Sequence, residues 1–466
     1  MANDEEKGSK TTIARLKTRP LERNLALAKL GMGAGAKIAL HSISNIFRGE
    51  ISRSDADRRF YAEQAQVLAD ELGQLKGSVM KAGQMLSLYA QYFLPEEAVE
   101  VLSTLQDSSM PVAWNVVAPQ LERALGSRAL RELEISETPI AAASLGQAHR
   151  ARRRSDGLDL VVKIQYPGVA DAIDSDIRTL SRLIIASRLT PRNFDLTPIF
   201  AEVREMLLRE CDYVQERRWT EQFAGRLAGD PRYGVPRVLP EYSAATVLTT
   251  TYESGVSVQD ARVQALPQAR RDALGLAFAE LFLREFFGWR TVQTDPHFGN
   301  YRVRLDDGGL DRLVLLDFGA TRAFEPQFVR DYALIVRGAQ LEDSGTVGRG
   351  ARSIGLIGAD FPVAALESFT ELCARIVEPF DPVRAPAELL TADGRYRFGA
   401  SDLPMRVSQA AARSALSLNF RVPPREIVFL HRRLAGVFIA LATLRAELDL
   451  RGPLARALSA SSLNAS

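Results

Sequence analysis

The pattern of apolar and polar positions divides the chain into a helical beginning, a mixed middle and a helical end. From about Asp57 to Phe93 apolar residues recur at helical spacing, and the run stops at Pro95. From about Pro139 the period changes. Residues 139–151 and 158–166 read as strands joined by a polar turn at Arg152–Gly157. Helices are predicted at about 168–190 and 197–225, the second opening on Thr197 as a cap and Pro198 at the first helical position. A strand at about 245–252 and a helix at about 266–288 follow. Two further strands, about 301–304 and 312–316, flank the turn Asp306-Asp307-Gly308-Gly309 and form a hairpin. From Glu325 to Leu450 the reading is mostly helical.

Composition narrows the class. The chain has 466 residues, 46% hydrophobic and 25% charged, which suits a folded globular protein and excludes a disordered chain. Lys+Arg is 59 and Asp+Glu is 57, a net charge of +2, so the basic excess of a dedicated nucleic-acid binder is missing. Two cysteines, Cys211 and Cys373, make neither a disulfide framework nor a thiolate zinc site. Apolar runs are interrupted by charge before they reach about 18 residues, the length of a membrane span. The early acids Asp4, Glu5 and Glu6 do not suit a targeting leader. The expectation is a cytoplasmic protein without a transmembrane helix, touching the inner membrane no more than peripherally. Residues 1–20 read as a mobile tail. Residues 21–47 read as a helix packed on the body, with a membrane-surface segment as the alternative. Gly31-Met32-Gly33-Ala34-Gly35 follows no strand and is a weak dinucleotide signal. Gly73, Gly77 and Gly83 on the long helix suggest close approach of another backbone or a ligand.

The chemistry concentrates around the hairpin. Asp295-Pro296-His297-Phe298-Gly299-Asn300 precedes it and Asp317-Phe318-Gly319 follows it. An Asp, an Asn five residues on, and a strand–turn–strand ending in Asp-Phe-Gly is the catalytic layout of protein kinases. Asp295 would face a substrate hydroxyl or water, while Asn300 and Asp317 would supply hard oxygen ligands to Mg2+. Upstream, Lys163 in Val161-Val162-Lys163-Ile164 sits on a strand, as a phosphate-pairing lysine does. Taken alone it is equally a strand-edge lysine with its amine in water. The following helix offers acids at Glu210, Asp212 and Glu216; at about 100° per residue Asp212 and Glu216 share a face and Glu210 does not. Where kinases carry a glycine-rich turn, this chain has Ala141-Ala142-Ala143-Ser144-Leu145-Gly146-Gln147-Ala148-His149, a stiffer loop because alanine lacks glycine's access to positive φ.

These pieces together resemble the UbiB family, also called AarF, of atypical kinase-like proteins linked to ubiquinone biosynthesis. The likeness spans about residues 20–445. It is carried in order by Lys81-x-Gly83-Gln84, Leu105-Gln106-Asp107, the alanine-rich loop and Lys163. Glu210-Cys211-Asp212-Tyr213 with Glu216, Gln293-Thr294-Asp295-Pro296 with Asn300, and Asp317-Phe318-Gly319-Ala320 complete it. The resemblance implies an α+β, two-lobed protein-kinase-like fold with an N-terminal helical extension covering the active-site cleft. The expected parts are the tail 1–20, family-specific helices 21–115, an N-lobe 116–255, a C-lobe 256–450 and a polar tail 451–466. It further implies Glu216 as the ion-pair partner of Lys163, and Glu210 and Asp212 near Lys81. Asp295, Lys163, Glu216, Lys81 and Gln84 are the catalytic candidates. Ala141, Ala142, Ala143, Ser144, Gly146, Gln147 and Lys163 are the nucleotide-binding candidates, and Asn300 and Asp317 the metal ligands. The cofactors would be ATP and Mg2+, and the partners a nucleotide and a quinone precursor or lipid, with no nucleic acid. The implied activity is ATP hydrolysis or phosphorylation of a small molecule or lipid. The alternatives are a conventional protein kinase and a nucleotide-gated lipid scaffold with little turnover. Thr294 in place of arginine before Asp295, and the missing Ala-Pro-Glu segment, disfavour the conventional kinase.

Overall fold

The structure is a computed structural model that describes residues 81, 82, 85, 111–186, 197–382, 385–407 and 423–463. The expected tail 1–20, the segment 21–47, Leu105-Gln106-Asp107, Gly83 and Gln84 lie outside the described residues. Of the long N-terminal helix, Lys81, Ala82 and Met85 are described and are helical, with Ala82 and Met85 buried.

In chain order the elements are α1 (Trp114–Glu132), β1 (Leu133–Ala142), β2 (Gly146–Arg153), β3 (Asp159–Gln165), α2 (Val169–Ala186), α3 (Thr197–Glu210) and α4 (Tyr213–Leu227). Next come β4 (Tyr233–Gly234), β5 (Val247–Thr251), α5 (Gln268–Leu283), β6 (Thr291–Gln293), β7 (Tyr301–Arg304), β8 (Arg312–Leu315) and β9 (Thr321–Ala323). The last are α6 (Pro326–Leu341), α7 (Ser344–Ser353), α8 (Val363–Val377), β10 (Tyr396–Arg397), α9 (Arg425–Thr443), β11 (Glu447–Leu448) and α10 (Arg451–Leu463). The α+β class expected from the sequence is the class observed.

The chain divides into two compact units. One holds residues up to Arg218 together with Arg237–Tyr252; the other holds Trp219–Pro236 and Glu253–Ser466. Residues 219–236, expected with the first half, belong to the second because Phe223, Leu227 and Tyr233 are buried in its core.

The first unit is built on an antiparallel sheet of order β1-β2-β3-β5. Leu160, Val162 and Ile164 alternate on β3 and are fully buried, so burial of every second residue fixes its register. The span 139–151, expected as one strand, is two strands reversed through Ala143-Ser144-Leu145, because Ala143 N–H donates to the Gly146 carbonyl at 2.8 Å. The predicted helix 197–225 likewise breaks in two at Cys211-Asp212. There the Asp212 carboxylate accepts from the Gln215 N–H at 2.9 Å and starts α4. The shared face of Asp212 and Glu216 does not apply across that break.

The second unit surrounds one large apolar core drawn from α5, α6, α8, α9 and the short strands. Its sheets are β4-β8-β7, β6-β9 and β10-β11. The hairpin β7–β8 falls within one residue of its predicted place. Helix α5 continues through a π-helical turn, Arg284–Gly288. Residues 451–463, expected as a polar tail, form α10 instead, because Leu454 and Leu458 bury against this core.

Candidate functional site

In the first unit, β3 presents Lys163 between its partners Ala148 on β2 and Leu248 on β5. The Lys163 Nζ donates to both oxygens of Glu216, at 2.7 and 2.9 Å, and lies 5.1 Å from the centre of the Tyr213 ring. Glu216 is buried and stands one turn into α4, so the helix break at Cys211 places both of these partners. Gln165 ties the break to the strand by donating to the Cys211 carbonyl at 2.9 Å. Burial pushes the Cys211 thiol up to about 12, with the nearby Glu210 carboxylate adding to it; this cysteine is no nucleophile. Lys81 pairs with Glu210 at 3.0 Å, both partly exposed.

The alanine-rich segment is less uniform than its sequence. Ala141 and Ala142 belong to β1, so only Ala143, Ser144 and Leu145 form the reversal. Ala143 is exposed, whereas Ser144 is buried. Neither alanine nor Gly146 uses positive φ. Gly146 is required for another reason: a Cβ there would stand 2.6 Å from the Ile164 carbonyl oxygen and 2.7 Å from the Tyr213 hydroxyl. Gln147, expected to meet nucleotide, is buried and committed elsewhere. Its amide accepts from the Val112 N–H at 2.9 Å, donates to the Val112 carbonyl at 3.0 Å and meets the His149 ring at 2.9 Å. His149 bonds onward to the Ser136 carbonyl, and burial lowers its pKa. This buried bracket staples the segment ahead of α1 to β2.

In the second unit the aspartate loop is organised around Asp295. Asn300 Nδ2 donates to the Asp295 carbonyl at 3.1 Å and to its Oδ2 at 3.0 Å. That leaves the Asn300 Oδ1 as the amide atom that can ligate a cation. His297 accepts from the Gly299 N–H through Nδ1 at 3.0 Å. Thr294 donates to the Ala320 carbonyl at 2.7 Å, and Gln293 reaches the Asp317 carbonyl. Leu316 N–H donates to the Asn300 carbonyl at 2.9 Å, so the backbone itself brings Asp317 beside Asn300. Asp317 Oδ1 accepts from the Gly319 N–H at 2.9 Å, and Phe318 is fully buried against Phe223. Only residues 318–325 separate Asp317 from the start of α6, eight residues by count. Of these, 321–323 are already paired with β6. That is the structural side of the missing Ala-Pro-Glu segment: the chain enters its next helix at once.

The carboxylate of Asp317 and the amide oxygen of Asn300 are the hard oxygen donors that Mg2+ prefers, and two such ligands suffice when phosphate oxygens and water supply the rest. Among the described residues no cluster of three or more His, Cys, Asp or Glu is arranged for a metal.

Comparison with known proteins agrees with the geometry. An ABC1 atypical kinase-like domain matches residues 104–349, a span that holds Lys163, Glu216, Asp295, Asn300 and Asp317. Atypical kinase COQ8B, mitochondrial, of Rattus norvegicus is 31% identical over 425 residues, covering 91% of this chain and 76% of its own length. The chain belongs to the ABC1 atypical kinase-like family. Within this family, Atypical kinase COQ8, mitochondrial, of Schizosaccharomyces pombe is 30% identical over 85% of the chain. The chain spans 63% of the length of that relative and half of a Caenorhabditis elegans one. A Mycobacterium tuberculosis protein solved with erythromycin shares the fold, at a TM-score of 0.54 and 24% identity, over 82% of this chain and 92% of its own. Among the described residues no helix of this family member is long and apolar enough to cross a membrane.

The residues that sequence reasoning missed all sit on α9. Arg432 donates to the Asp295 Oδ1 at 2.7 Å. Arg433, fully buried, pairs with Glu285 at 3.1 Å and donates to the Tyr301 hydroxyl. Burial pushes the Glu285 carboxyl up, and the Arg433 guanidinium opposes it. A Cβ on Gly436 would stand 1.9 Å from the Pro296 Cβ. No local motif marks these positions; their partners lie about 130 to 150 residues away in sequence.

Proposed function

We propose that the protein binds magnesium–ATP and hydrolyses it, or transfers its γ-phosphoryl group to a small or lipid hydroxyl compound, in support of isoprenoid quinone biosynthesis. Lys163, oriented by Glu216, pairs the nucleotide phosphates. Asn300 and Asp317 hold Mg2+, which when bound neutralises phosphate charge. Asp295 orients the attacking oxygen. That oxygen bonds to the γ-phosphorus, the bond to the β–γ bridging oxygen breaks, ADP leaves, and the proton passes toward Asp295. The observation that carries this reading is the backbone bond from Leu316 to Asn300. It joins the backbone at Asn300 to the residue before Asp317, at the end of the loop bearing Asp295, which supports a cation shared by the two residues.

The pairing of Lys81 with Glu210 supports a second part: a lysine of the family-specific Lys-x-Gly-Gln motif restrains turnover by holding an acid that stands six residues before Glu216. The experiment is phosphate release by the purified protein with magnesium–ATP, with and without liposomes and quinone-like phenols. Release that depends on Mg2+ and changes in Lys81→Ala, by altered turnover or self-labelling with γ-phosphate, is the expected result. Lys76→Ala is the control. Parent protein without release under any condition would replace the enzyme reading with a binding scaffold.

A further inference from the structure

The loop bearing Asp295 is held by a helix that the family motifs do not include. Helix α9 lies more than 100 residues downstream of the Asp-Phe-Gly segment. Its residues Arg432 and Gly436 are one turn apart and therefore share a face. Both meet the same dipeptide. Arg432 takes the Asp295 Oδ1, and Gly436 makes room for Pro296 where any side chain would overlap the ring. The neighbouring Arg433 points into the core, fixed by Glu285 and Tyr301 at essentially zero exposure. A buried, ion-paired arginine sets the rotation of the helix. Its neighbour Arg432 is thereby aimed at the loop instead of at solvent.

We propose that Arg432 is a positioning residue for Asp295, and that α9 is the element holding the aspartate loop in its working geometry. The proposal rests on the phosphoryl-transfer reading above. The Asp295 carboxylate is divided between two donors, Arg432 on Oδ1 and Asn300 on Oδ2. With both in place the carboxylate plane is fixed. Without Arg432 the carboxylate loses its donor on Oδ1, and the Asn300 amide that meets Oδ2 must also present its other atom to the metal. Thr294 fills the place where ordinary kinases carry arginine beside the catalytic aspartate, and its hydroxyl is spent on the Ala320 carbonyl. The cation near Asp295 therefore comes from α9. Misorientation of a positioned group costs rate rather than affinity, because nucleotide is held by other residues.

The test uses the full chain and three variants, Arg432→Gln, Arg432→Lys and Gly436→Ala, with Ile439→Gln on the exposed side of the same helix as control. Loss of one charge-assisted hydrogen bond predicts a kcat for magnesium–ATP hydrolysis lower by about 10- to 100-fold in Arg432→Gln. The KM and the magnesium–ADP affinity should stay within about twofold, since those contacts remain. Arg432→Lys restores part of kcat. Gly436→Ala lowers kcat like Arg432→Gln, because Pro296 must move. Amide hydrogen exchange of the 293–301 segment, read without nucleotide, rises in Arg432→Gln and Gly436→Ala and not in the control. Unchanged kcat in folded Arg432→Gln, or equal losses in kcat and nucleotide affinity without rescue by lysine, would overturn the proposal. If the parent has no turnover, the functional reading fails. The exchange measurement then still decides whether α9 holds the loop, and unchanged exchange would overturn that too. If Arg432→Gln does not fold, Arg432→Lys and Gly436→Ala carry the same comparison.

Discussion

The alanine turn of the first unit and the aspartate loop of the second teach different lessons about how a site is made. At the turn, side chains are withdrawn. Ser144 is buried, Gln147 is spent on Val112 and His149, and Ala143 alone is exposed, offering a methyl group. Whatever this turn offers a phosphate, it offers through its backbone. At the aspartate loop, side chains are joined: Asn300 and Arg432 both donate to the Asp295 carboxylate, while His297 braces the loop backbone at Gly299. The turn is a stiff surface, and the loop is a set of aimed groups. Substitutions at the turn should therefore shift affinity mildly, and those that remove an ionic side chain of the site should lower turnover by about tenfold or more.

The largest expected effect is at Lys163. Lys163→Met removes the cation that both Glu216 oxygens accept from. Phosphate release should fall to background. Stability should fall by about 3 kcal/mol, because a buried carboxylate loses its partner. The double variant Lys163→Met/Glu216→Met should regain much of the stability and none of the turnover, measured by denaturant unfolding beside phosphate release. Additive stability losses would show that the two residues do not act as a pair.

Next comes acid. Burial holds His431 at about 4, against an ordinary 6.5, beside the Tyr332 hydroxyl at 3.1 Å. The folded state binds the proton more weakly than the unfolded state. Stability from this group is complete above pH 6.5 and is lost as pH falls toward 4, by up to about 3 kcal/mol. His149 in the first unit shifts in the same direction. Melting temperature should drop across that window, and His431→Gln should flatten much of the drop. An equally steep acid loss in His431→Gln would assign it to other groups.

These two cases also mark what the sequence could disclose. The hairpin strands and the Asp-x4-Asn and Asp-Phe-Gly spacings were legible because their geometry is set by residues close in the chain, where turn chemistry and alternation act. The partner of Lys163 came from the family resemblance; helical spacing alone grouped Glu216 with Asp212 and missed the break at Cys211-Asp212 that sets α4. The reversal at Ala143–Leu145 was indicated only by the kinase layout, which puts a loop at 141–149; the local pattern reads 139–151 as one strand because apolar and small residues run up to the single Gly146 that closes the bend. Helix α10 was hidden because two buried leucines, Leu454 and Leu458, decide its placement amid polar neighbours. Arg432 was hidden most completely. An arginine in a late helix has no local signature, and its role exists only once the fold brings it to Asp295.

The smallest expected effect returns to the turn. Ala143→Gly adds backbone freedom at an exposed position without removing a contact. It should change nucleotide affinity by no more than about fivefold, about 1 kcal/mol, at unchanged melting temperature. Calorimetric titration with ATP and ADP checks it. A loss of 100-fold would mean that the methyl group itself is read, and the contrast between turn and loop would fail.

The central claim is that Asn300 and Asp317 hold magnesium with a nucleotide, and it is tested most directly by nucleotide-dependent thermal stabilisation of the parent and Asp317→Asn, with and without Mg2+. The account predicts that ATP or ADP raises the melting temperature of the parent strongly only when Mg2+ is present. In Asp317→Asn, the magnesium-dependent part of that rise should largely vanish while the ligand-free melting temperature stays close to the parent's. Equal stabilisation of the two proteins by magnesium–ATP, or stabilisation of the parent that ignores Mg2+, would contradict it.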